Sequence, residues 1–240
     1  MPSDIELSCS SNIERKSKFE VISMKEYNIL RRSPLFQNMS DANIDRALKL
    51  FQAQEARFKR GQYLCRAGEP MRRFGFVLKG TAQVFIDDVN GVRFLMNSVG
   101  AGDSFGESLH FMNVKDSPIY IMAVEDTKLL WLNARELKEA RRTTETLETA
   151  LRFVALLAQR TLSMNDRIQI LTQPSIRSKL NLYFTQCANH FNSRTFTIAF
   201  NRNQLADYLA VNRSALSREL SRMKQEGLID YHLNSFSICS

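Results

Sequence analysis

The stretch NRNQLADYLAVNRSALSREL, from Asn201 to Leu220, decides the fold class of the C-terminal part of this chain. It contains two short patterns of helical periodicity separated by a tight turn at Val211. Asn212 stands where its side chain can cap the second helix by accepting a hydrogen bond from a free backbone N–H. The apolar positions of the two helices are Leu205, Ala206, Leu209, Leu216, Leu220 and Met223. This combination predicts a helix-turn-helix.

The second helix leaves a polar face that points away from these apolar positions. That face consists of Arg213, Ser214, Ser217 and Arg218. In a helix-turn-helix, the early residues of the second helix meet base edges in the major groove, where arginine can bond guanine bidentately. Contacts to phosphate, which set affinity rather than sequence preference, are predicted for Arg202, Asn203 and Arg222. A merely solvated amphipathic surface is the alternative interpretation.

The surrounding segments predict a winged helix over residues 173–240. A helical pattern in SIRSKLNLYFTQCANHF (175–191) and an alternating strand in SRTFTIAF (193–200) precede the two helices. A turn at Gly227 and a small hairpin through Asn234-Ser235 follow them. Residues 175–240 hold eight basic and four acidic residues, a net charge of +4, within a chain of net charge +8. Such a basic balance favours a polyanionic partner, nucleic acid first.

Residues 141–172 predict one long helix that ends before Pro174. Its seam steps by four and three residues through Leu147, Leu151, Val154, Ala158, Thr161, Asn165 and Ile168. This spacing is typical of a coiled coil of about three heptads, in which a polar seam residue can fix register and dimeric state. We therefore predict a homodimer, and a helix packed only on its own domain is the alternative.

Residues 25–140 predict an antiparallel β-roll, a jelly roll of the cupin-like kind, preceded by a helix with an N-cap at Ser40 and Asp41. Between 55 and 132, short apolar runs alternate with glycine-containing turns, and Asn90-Gly91 is a strong hairpin signal. An enzyme on such a roll would need a metal-binding His/Glu cluster, but this segment contains a single histidine, His110. The overall prediction is an α+β regulatory protein with no catalytic or metal site.

The remaining features concern the cellular compartment. The four cysteines are far apart and form no CxxC pair, which argues against metal ligation and fits free thiols in a reducing cytoplasm. No apolar run approaches the roughly 20 residues of a membrane span. Residues 1–24 are polar, so they predict a flexible tail without the apolar core of a signal peptide, and translation could also begin at Met24. A soluble cytoplasmic protein is expected.

In its order of β-roll, long helix and winged helix, the chain resembles the Crp/Fnr family of bacterial transcription regulators over residues 25–240. The motifs that carry the resemblance are GQYLCRAGEP (61–70), FGFVLKGTAQVF (74–85), GAGDSFGES (100–108) and LADYLAVNRSALSREL (205–220). The resemblance implies a small effector inside the β-roll, a dimer on a near-palindromic operator in double-stranded DNA, and contact with RNA polymerase. By family position, the effector contacts would be Glu107, Ser108, Ser117, Ser163 and Asn165.

The chain departs from the family pattern at the effector site. Cyclic-AMP-binding members follow a Gly-Glu pair with an Arg-Ser pair that holds the cyclic phosphate, whereas here Gly106-Glu107 is followed by Ser117-Pro118. The missing arginine removes a bidentate, charge-assisted contact, which Lys115 could replace only as a point charge with different geometry. Proline also lacks a backbone donor. The effector is therefore expected to differ from cyclic AMP, and an empty pocket would make the protein constitutively active.

The chain also departs from the family pattern in the residues for iron–sulfur sensing, for haem sensing and for base contacts. Oxygen-sensing members bind an iron–sulfur cluster through an N-terminal cysteine cluster, but Cys9 stands alone here, so no cluster is expected. His110 is expected to be a packed histidine rather than a haem ligand. The alternatives to an effector-controlled transcription regulator are a cyclic-nucleotide-type regulatory module and a haem-based gas sensor on the same scaffold. Ser214 replaces a glutamate of many members, which predicts a changed consensus at one base of each half-site.

Overall fold

The computed structural model describes residues 22–87, 93–135, 137, 143–198 and 200–239. They fall into two compact units. The first extends up to Val84 and from Ser98 to Leu156, and the second comprises Phe85–Asn97 and the chain from Leu157 onward. The predicted Asn90-Gly91 turn and the tail up to residue 21 lie outside the described residues.

Two short helices open the first unit. Helix α1 (Met24–Leu30) begins with a capping box between Ser23 and Glu26, and α2 (Asp41–Leu50) is capped by Ser40, which confirms the predicted N-cap. Lys128 ties the first helix to the sheet, because its ammonium lies 2.6 Å from a carboxylate oxygen of Glu26 and 2.9 Å from one of Glu55. Met24 therefore belongs to a helix anchored on the roll.

Two four-stranded sheets form the β-roll. The strands are β1 (Gln54–Phe58), β2 (Tyr63–Cys65), β3 (Phe74–Lys79), β4 (Ala82–Asp87), β5 (Arg93–Val99), β6 (Ser104–Phe105), β7 (Tyr120–Ala123) and β8 (Thr127–Leu132). One sheet has the order β1-β8-β3-β6 and the other β2-β7-β4-β5. The β1–β8, β3–β8, β3–β6 and β2–β7 pairs are antiparallel, in agreement with the predicted roll. A short helix, α3 (Glu107–Phe111), follows β6.

The core of the roll lies between the two sheets. Buried side chains from both sheets pack together there, namely Cys65, Val77, Val84, Val99, Phe105, Ile121, Leu129 and Trp131. A glycine is needed at the β3–β4 turn, because Gly80 has a φ of +84° and a Cβ atom there would lie 2.5 Å from the carbonyl oxygen of Asp126. The alternating apolar residues seen in the sequence therefore bury a single interior.

A long helix, α4 (Thr144–Leu171), runs for 28 residues and ends three residues before Pro174. In the first unit one of its faces is buried, since Phe153 is 2 % exposed and Leu156 is 4 % exposed. The Phe153 ring lies 5.6 Å from that of Phe74 and 5.4 Å from that of Phe111, measured between centroids. Aromatic packing thus attaches this part of the helix to the roll.

The second unit contains the winged helix. Its elements are α5 (Ile176–Phe191), β9 (Thr195–Thr197), α6 (Arg202–Tyr208), α7 (Arg213–Gln225), β10 (Ile229–His232) and β11 (Ser235–Ile238). The strands form a sheet of order β10-β11-β9, and both strand pairs are antiparallel. The predicted apolar positions of the two helices, from Leu205 to Met223, are all buried in one core with Phe184, Phe196 and Phe236. The predicted helix-turn-helix and hairpin are present.

Arg167 of the long helix connects three elements within this second unit. Its Nη2 donates a hydrogen bond of 3.0 Å to the carbonyl oxygen of Leu95 in β5. Its guanidinium carbon lies 4.9 Å from the centre of the Tyr208 ring in α6. Burial lowers the pKa of Arg167, with a small opposing effect from Tyr208. The end of α4, strand β5 and helix α6 therefore meet at the guanidinium of Arg167.

Candidate DNA-binding and effector sites

Side-chain caps define where both helices of the helix-turn-helix begin. Asn201 and Gln204 form a capping box at α6, with an N–H···O distance of 3.0 Å from the Gln204 amide to the Asn201 side chain. Asn212 Oδ1 accepts hydrogen bonds from the amides of Ser214 (2.9 Å) and Ala215 (3.4 Å) at the start of α7. The predicted cap at Asn212 is therefore present, and the exposed face of α7 begins at a defined residue.

The outward face of α7 is available for contacts. Arg213, Ser214 and Arg218 are exposed and Ser217 is half-buried. Within the described ranges, neither arginine makes a hydrogen bond or ion pair. The Ser214 hydroxyl donates to Asn212 Oδ1 at 2.5 Å, so its oxygen keeps only acceptor capacity toward solvent. A partner with hydrogen-bond donors or negative charge would complement this face.

Arg202 lies between α6 and the wing formed by β10 and β11. Its guanidinium carbon is 5.1 Å from the centre of the Tyr231 ring, and its Nη2 donates to the carbonyl oxygen of Leu233 at the wing tip, 3.4 Å away. Burial lowers the pKa of Arg202, and the positive charge of Arg213 adds to this effect. Two guanidinium groups at the start of the two helices thus create a local positive potential. Asn203, beside them, is exposed.

Most carboxylates of the winged helix are neutralised by ion pairs. Arg177 of α5 donates from Nε to Glu219 at 2.5 Å, and from Nη1 and Nη2 to Glu226 at 2.7 and 2.9 Å. These hydrogen bonds lower the pKa of Glu226. Arg222, the third predicted phosphate contact, is mostly exposed and lies 3.6 Å from the second oxygen of Glu219. This network has no signal in the sequence, because Arg177 is 42 and 49 residues away from its two partners.

The predicted seam of α4 is exposed in the single chain. Leu147, Leu151, Val154 and Ile168 have exposed fractions of 62, 61, 59 and 55 %. Leu162, which is 64 % exposed, flanks the polar Thr161 and extends the apolar stripe beyond the predicted positions. The hydroxyl of Thr161 donates to the carbonyl oxygen of Leu157 in the preceding turn. This apolar stripe, Leu147 to Ile168, lies on the side of α4 away from Phe153, and the described residues leave its large side chains exposed.

The predicted effector residue Glu107 is a buried carboxylate. It is 5 % exposed at the start of α3, and its Oε1 accepts a hydrogen bond from the hydroxyl of Ser104. The preceding Gly106 has a φ of +77°, and a Cβ atom there would come within 3.0 Å of the Met71 side chain. The backbone turn from β6 into the helix therefore favours glycine at position 106.

The other predicted effector residues differ from Glu107 in their surroundings. Ser117 is buried, and its hydroxyl is hydrogen-bonded to the backbone of Ile119, both to the carbonyl oxygen (3.3 Å) and from the amide (3.4 Å). Ser108 is exposed on α3. Ser163 and Asn165 are exposed on α4, where the Ser163 hydroxyl donates to the carbonyl oxygen of Gln159. The loop that holds Ser117 is therefore secured by its own backbone contacts.

His110 is a packed histidine. It is fully buried, and its Nε2 accepts a 3.0 Å hydrogen bond from the amide of Ala134. Nδ1 must then hold the proton, and it lies 3.3 Å from the carbonyl oxygen of Met71. Burial lowers the pKa of His110, and the charges of Arg135 and Arg73 contribute in the same direction. Both ring nitrogens are engaged by backbone groups.

Because the folded state holds His110 neutral, stability is expected to fall as the pH decreases. The pKa of His110 in the folded chain is below its unfolded value of about 6.5, so its contribution is complete above that pH and is lost as the pH falls through the folded pKa. The slope contributed by this one group is at most about 1.4 kcal/mol per pH unit. Urea unfolding between pH 5 and pH 8 should show it in the wild type but not in His110→Gln.

The exposed His190 supplies the matched control, since His190→Gln should keep the wild-type slope. Equal slopes in the wild type and in His110→Gln would contradict the assignment of His110 as the titrating group.

The free thiols in the described residues are Cys65, Cys187 and Cys239. Across the same residues, three or more His, Cys, Asp or Glu side chains nowhere come together as a metal ion would require. Among the helices described, none combines the length and apolar character of a membrane span. Cys9 lies outside the described residues.

A β-roll followed by a long helix and a winged helix defines a class of DNA-binding regulators that carry a sensory domain. Comparison with known proteins agrees: a cyclic nucleotide-binding domain model matches residues 55–144, and a Crp-like helix-turn-helix domain model matches residues 179–240. Together the two models match more than half of the chain. The chain belongs to the Crp/Fnr family of transcription regulators.

Individual relatives are distant but extend over most of the chain. The cyclic AMP receptor protein of Thermus thermophilus is 24 % identical over 200 residues, which cover 83 % of this chain and 89 % of that protein. The transcriptional activator protein anr of Pseudomonas aeruginosa is 23 % identical, with 76 and 78 % covered. The structure of FixK2 from Bradyrhizobium japonicum matches with a TM-score of 0.60 at 17 % identity, covering 78 % of this chain and 93 % of that one.

Proposed function

We propose that this regulator is a homodimer that binds a near-palindromic operator and is controlled by a small effector in the β-roll. In this assignment residues 25–140 sense the effector, residues 141–172 dimerise and residues 173–240 bind DNA. The observation that carries the proposal is the exposed face of α7, where two arginines that have no ion-pair partner among the described residues flank two serines on a capped helix. The domain assignment and the effector are expectations from the family. The exposed face of α7 supports the DNA-binding part of the proposal.

The proposed DNA contacts divide into two groups. Arg213, Ser214, Ser217 and Arg218 contact base edges, and arginine is suited to guanine O6 and N7. Ser214 offers an acceptor, because its hydrogen is donated to Asn212, so it suits an exocyclic amino group of cytosine or adenine. Arg202, Asn203 and Arg222 contact phosphate and set affinity. The local positive potential at Arg202 and Arg213 supports this assignment.

Dimerisation is proposed through the apolar stripe of α4. Large apolar side chains repeated along one exposed helix face are stabilised when a second helix covers them. Asn165 lies among them and is exposed, so it can pair with its counterpart and select a parallel, in-register dimer. Two winged helices would then meet two half-sites related by the two-fold axis.

The proposed effector site centres on Glu107, with Ser108, Ser117, Ser163 and Asn165 as further candidates. Carboxylate oxygens are hydrogen-bond acceptors, so the buried Glu107, which accepts from the hydroxyl of Ser104, suits an effector that carries hydroxyl groups. Ser117-Pro118 stands where cyclic-AMP-binding members have the Arg-Ser pair that holds the phosphate, and Lys115 is exposed. The proposed effector is therefore a small polar molecule with hydroxyl groups rather than cyclic AMP.

Millimolar cyclic AMP is expected neither to raise the melting temperature nor to tighten operator binding. Loss of the bidentate guanidinium contact leaves the cyclic phosphate without a compensating charge. Thermal-shift and fluorescence-anisotropy titrations measure both effects, with the Thermus thermophilus cyclic AMP receptor protein as a positive control. Saturable tightening of operator binding by micromolar cyclic AMP would contradict the expectation.

The alternatives are less well supported by the geometry. Haem ligation through His110 would require breaking a buried hydrogen bond to Ala134 or Met71. A cyclic-nucleotide-type module without DNA binding leaves the exposed arginines of α7 unexplained. We therefore propose a non-enzymatic regulator of the bacterial cytoplasm, where its operator and the expected contact with RNA polymerase are found.

The proposed function is tested by selection of bound DNA from a random fragment pool, with and without extract from cells. Enrichment of one inverted repeat supports a dimeric, sequence-specific regulator, and enrichment only with extract supports a small effector. Bound fragments without a shared motif would overturn the proposal.

A further inference from the structure

We infer that Arg177, on the helix before the helix-turn-helix, is a positioning residue that orients the base-contacting face of α7 through Glu219 and Glu226. This inference rests on the proposed DNA-binding function and extends it to a residue outside the helix-turn-helix. Arg177 touches neither bases nor phosphates in the proposal. It acts on two carboxylates that lie on the flank of the recognition helix.

Apolar packing fixes which face of α7 is buried. Leu216, Leu220 and Met223 are fully buried, and they hold the helix against the core. Contacts of this kind are non-directional, so they do not by themselves supply a preferred hydrogen-bond geometry. A rotation that moves Arg213 and Arg218 sideways, however, disrupts bidentate contacts, which require fixed geometry. Sequence discrimination therefore needs a directional contact as well.

The guanidinium of Arg177 supplies that directional contact. Its planar fork reaches Glu219 through Nε and both oxygens of Glu226 through Nη1 and Nη2. The two glutamates are seven residues apart, about two turns, so both lie on the same flank of α7. Glu219 is the more enclosed of the two, with a side chain 14 % exposed. One rigid group thus holds the helix at two points along its length.

The same contact influences a predicted phosphate ligand. Arg177 binds Oε1 of Glu219, while Arg222 lies 3.6 Å from Oε2 of the same carboxylate. The two oxygens of Glu219 therefore attract two different arginines, Arg177 and Arg222. Without Arg177, Glu219 would be left as a partly buried carboxylate and would draw Arg222 inward, away from DNA.

A second cation of α5, Lys179, contacts the other helix of the helix-turn-helix. Lys179 Nζ donates a 2.9 Å hydrogen bond to the carbonyl oxygen of Leu209, the C-terminal cap of α6. A cation at a helix C-terminus is favourable because free carbonyl groups and the helix dipole meet there. One turn of α5 therefore holds both helices of the helix-turn-helix through Lys179 and Arg177.

The test compares Arg177→Gln with the wild type on the selected operator and on a scrambled duplex at one salt concentration. We expect operator affinity to fall roughly 10-fold, the scale of lost hydrogen bonds to charged groups. Affinity for scrambled DNA should fall less, since only the single phosphate contact of Arg222 is weakened there. Arg177→Lys keeps the charge but not the fork, so it should recover only part of the specificity ratio. A purely structural role would lower the melting temperature and leave that ratio unchanged.

Two further variants complete the design. In the double variant Arg177→Gln/Glu219→Gln, the loss of operator affinity should be smaller than the sum of the losses in the two single variants. The reason is that the second change removes the carboxylate that the first leaves without its partner. Glu226→Gln removes only the exposed contact, so it should fold and show a smaller loss in the same direction even if Arg177→Gln is unstable. Arg31→Gln, which breaks the Arg31–Asp41 ion pair elsewhere, is the control and should keep the wild-type ratio.

The outcomes separate the two hypotheses. A wild-type specificity ratio in folded Arg177→Gln and in Glu226→Gln would overturn the positioning role while leaving the proposed function intact. Equal losses on operator and scrambled DNA would also overturn it, since they indicate only a missing positive charge. Absence of any sequence preference in the wild type would overturn the proposed function and this inference together.

Discussion

Leu151→Glu is expected to convert the protein from a dimer into a monomer at micromolar concentration and to lower operator affinity by at least about 100-fold. Leu151 is 61 % exposed in the single chain and lies one helical turn into the apolar stripe from Leu147 to Ile168. Facing charges on two seams repel each other, and glutamate replaces the apolar contact that stabilises the pair. A monomer binds each half-site independently, so it loses the additional affinity that a dimer obtains by binding both half-sites at once.

Sedimentation velocity measures the oligomeric state, and anisotropy with one- and two-half-site duplexes measures the affinity. Gln159→Glu is the matched control, because residue 159 is exposed on α4 but lies off the stripe. It should remain dimeric. A wild type that sediments as a monomer, or a Leu151→Glu variant that remains a dimer, would refute the assignment of this face.

Arg218→Ala is expected to lower affinity for the cognate operator by 1–3 kcal/mol, or about 5- to 150-fold, and to relax the preference at one base of each half-site. Arg218 lies on the outward face of α7, exposed and without an ion-pair partner among the described residues. Loss of a bidentate contact to guanine therefore leaves the helix itself intact. Anisotropy against single-base operator variants measures both effects.

Arg218→Lys separates geometry from charge. It should bind scrambled DNA as the wild type does, but it should still discriminate poorly at that base, because an ammonium cannot form the bidentate pair. Arg194→Ala, which removes an exposed arginine from outside the helix-turn-helix, should leave every base preference unchanged. If Arg218→Ala retains wild-type affinity and preference, α7 does not contact bases through this residue.

The elements that sequence predicted correctly are those governed by local rules. Periodicity placed the buried positions of α6 and α7, and side-chain caps at Ser40 and Asn212 placed helix starts. Both signals act over three or four residues, so no tertiary information is needed. Gly-Glu at 106–107 likewise marks a backbone turn that only glycine accommodates easily. Order and spacing of these signals were sufficient to identify the family.

The remaining features depend on contacts between residues far apart in sequence. Ala210, in the turn of the helix-turn-helix, has a φ of +50°, a conformation that propensity assigns to glycine and that the packing around the turn imposes. The partners of His110 are Met71 and Ala134, 39 and 24 residues away, so its neutral state could not be inferred beforehand.

Sequence alone therefore determined the order of elements, their buried faces and the exposed polar face of α7 that we propose contacts DNA, because periodicity and capping are local properties of the chain. Tertiary structure alone decided that Arg177 holds Glu219 and Glu226, that Ser214 donates to its own cap, and that Ser117 is satisfied by backbone. The physical reason is that a hydrogen bond forms only when packing brings donor and acceptor within about 3 Å, and the apolar core sets that approach.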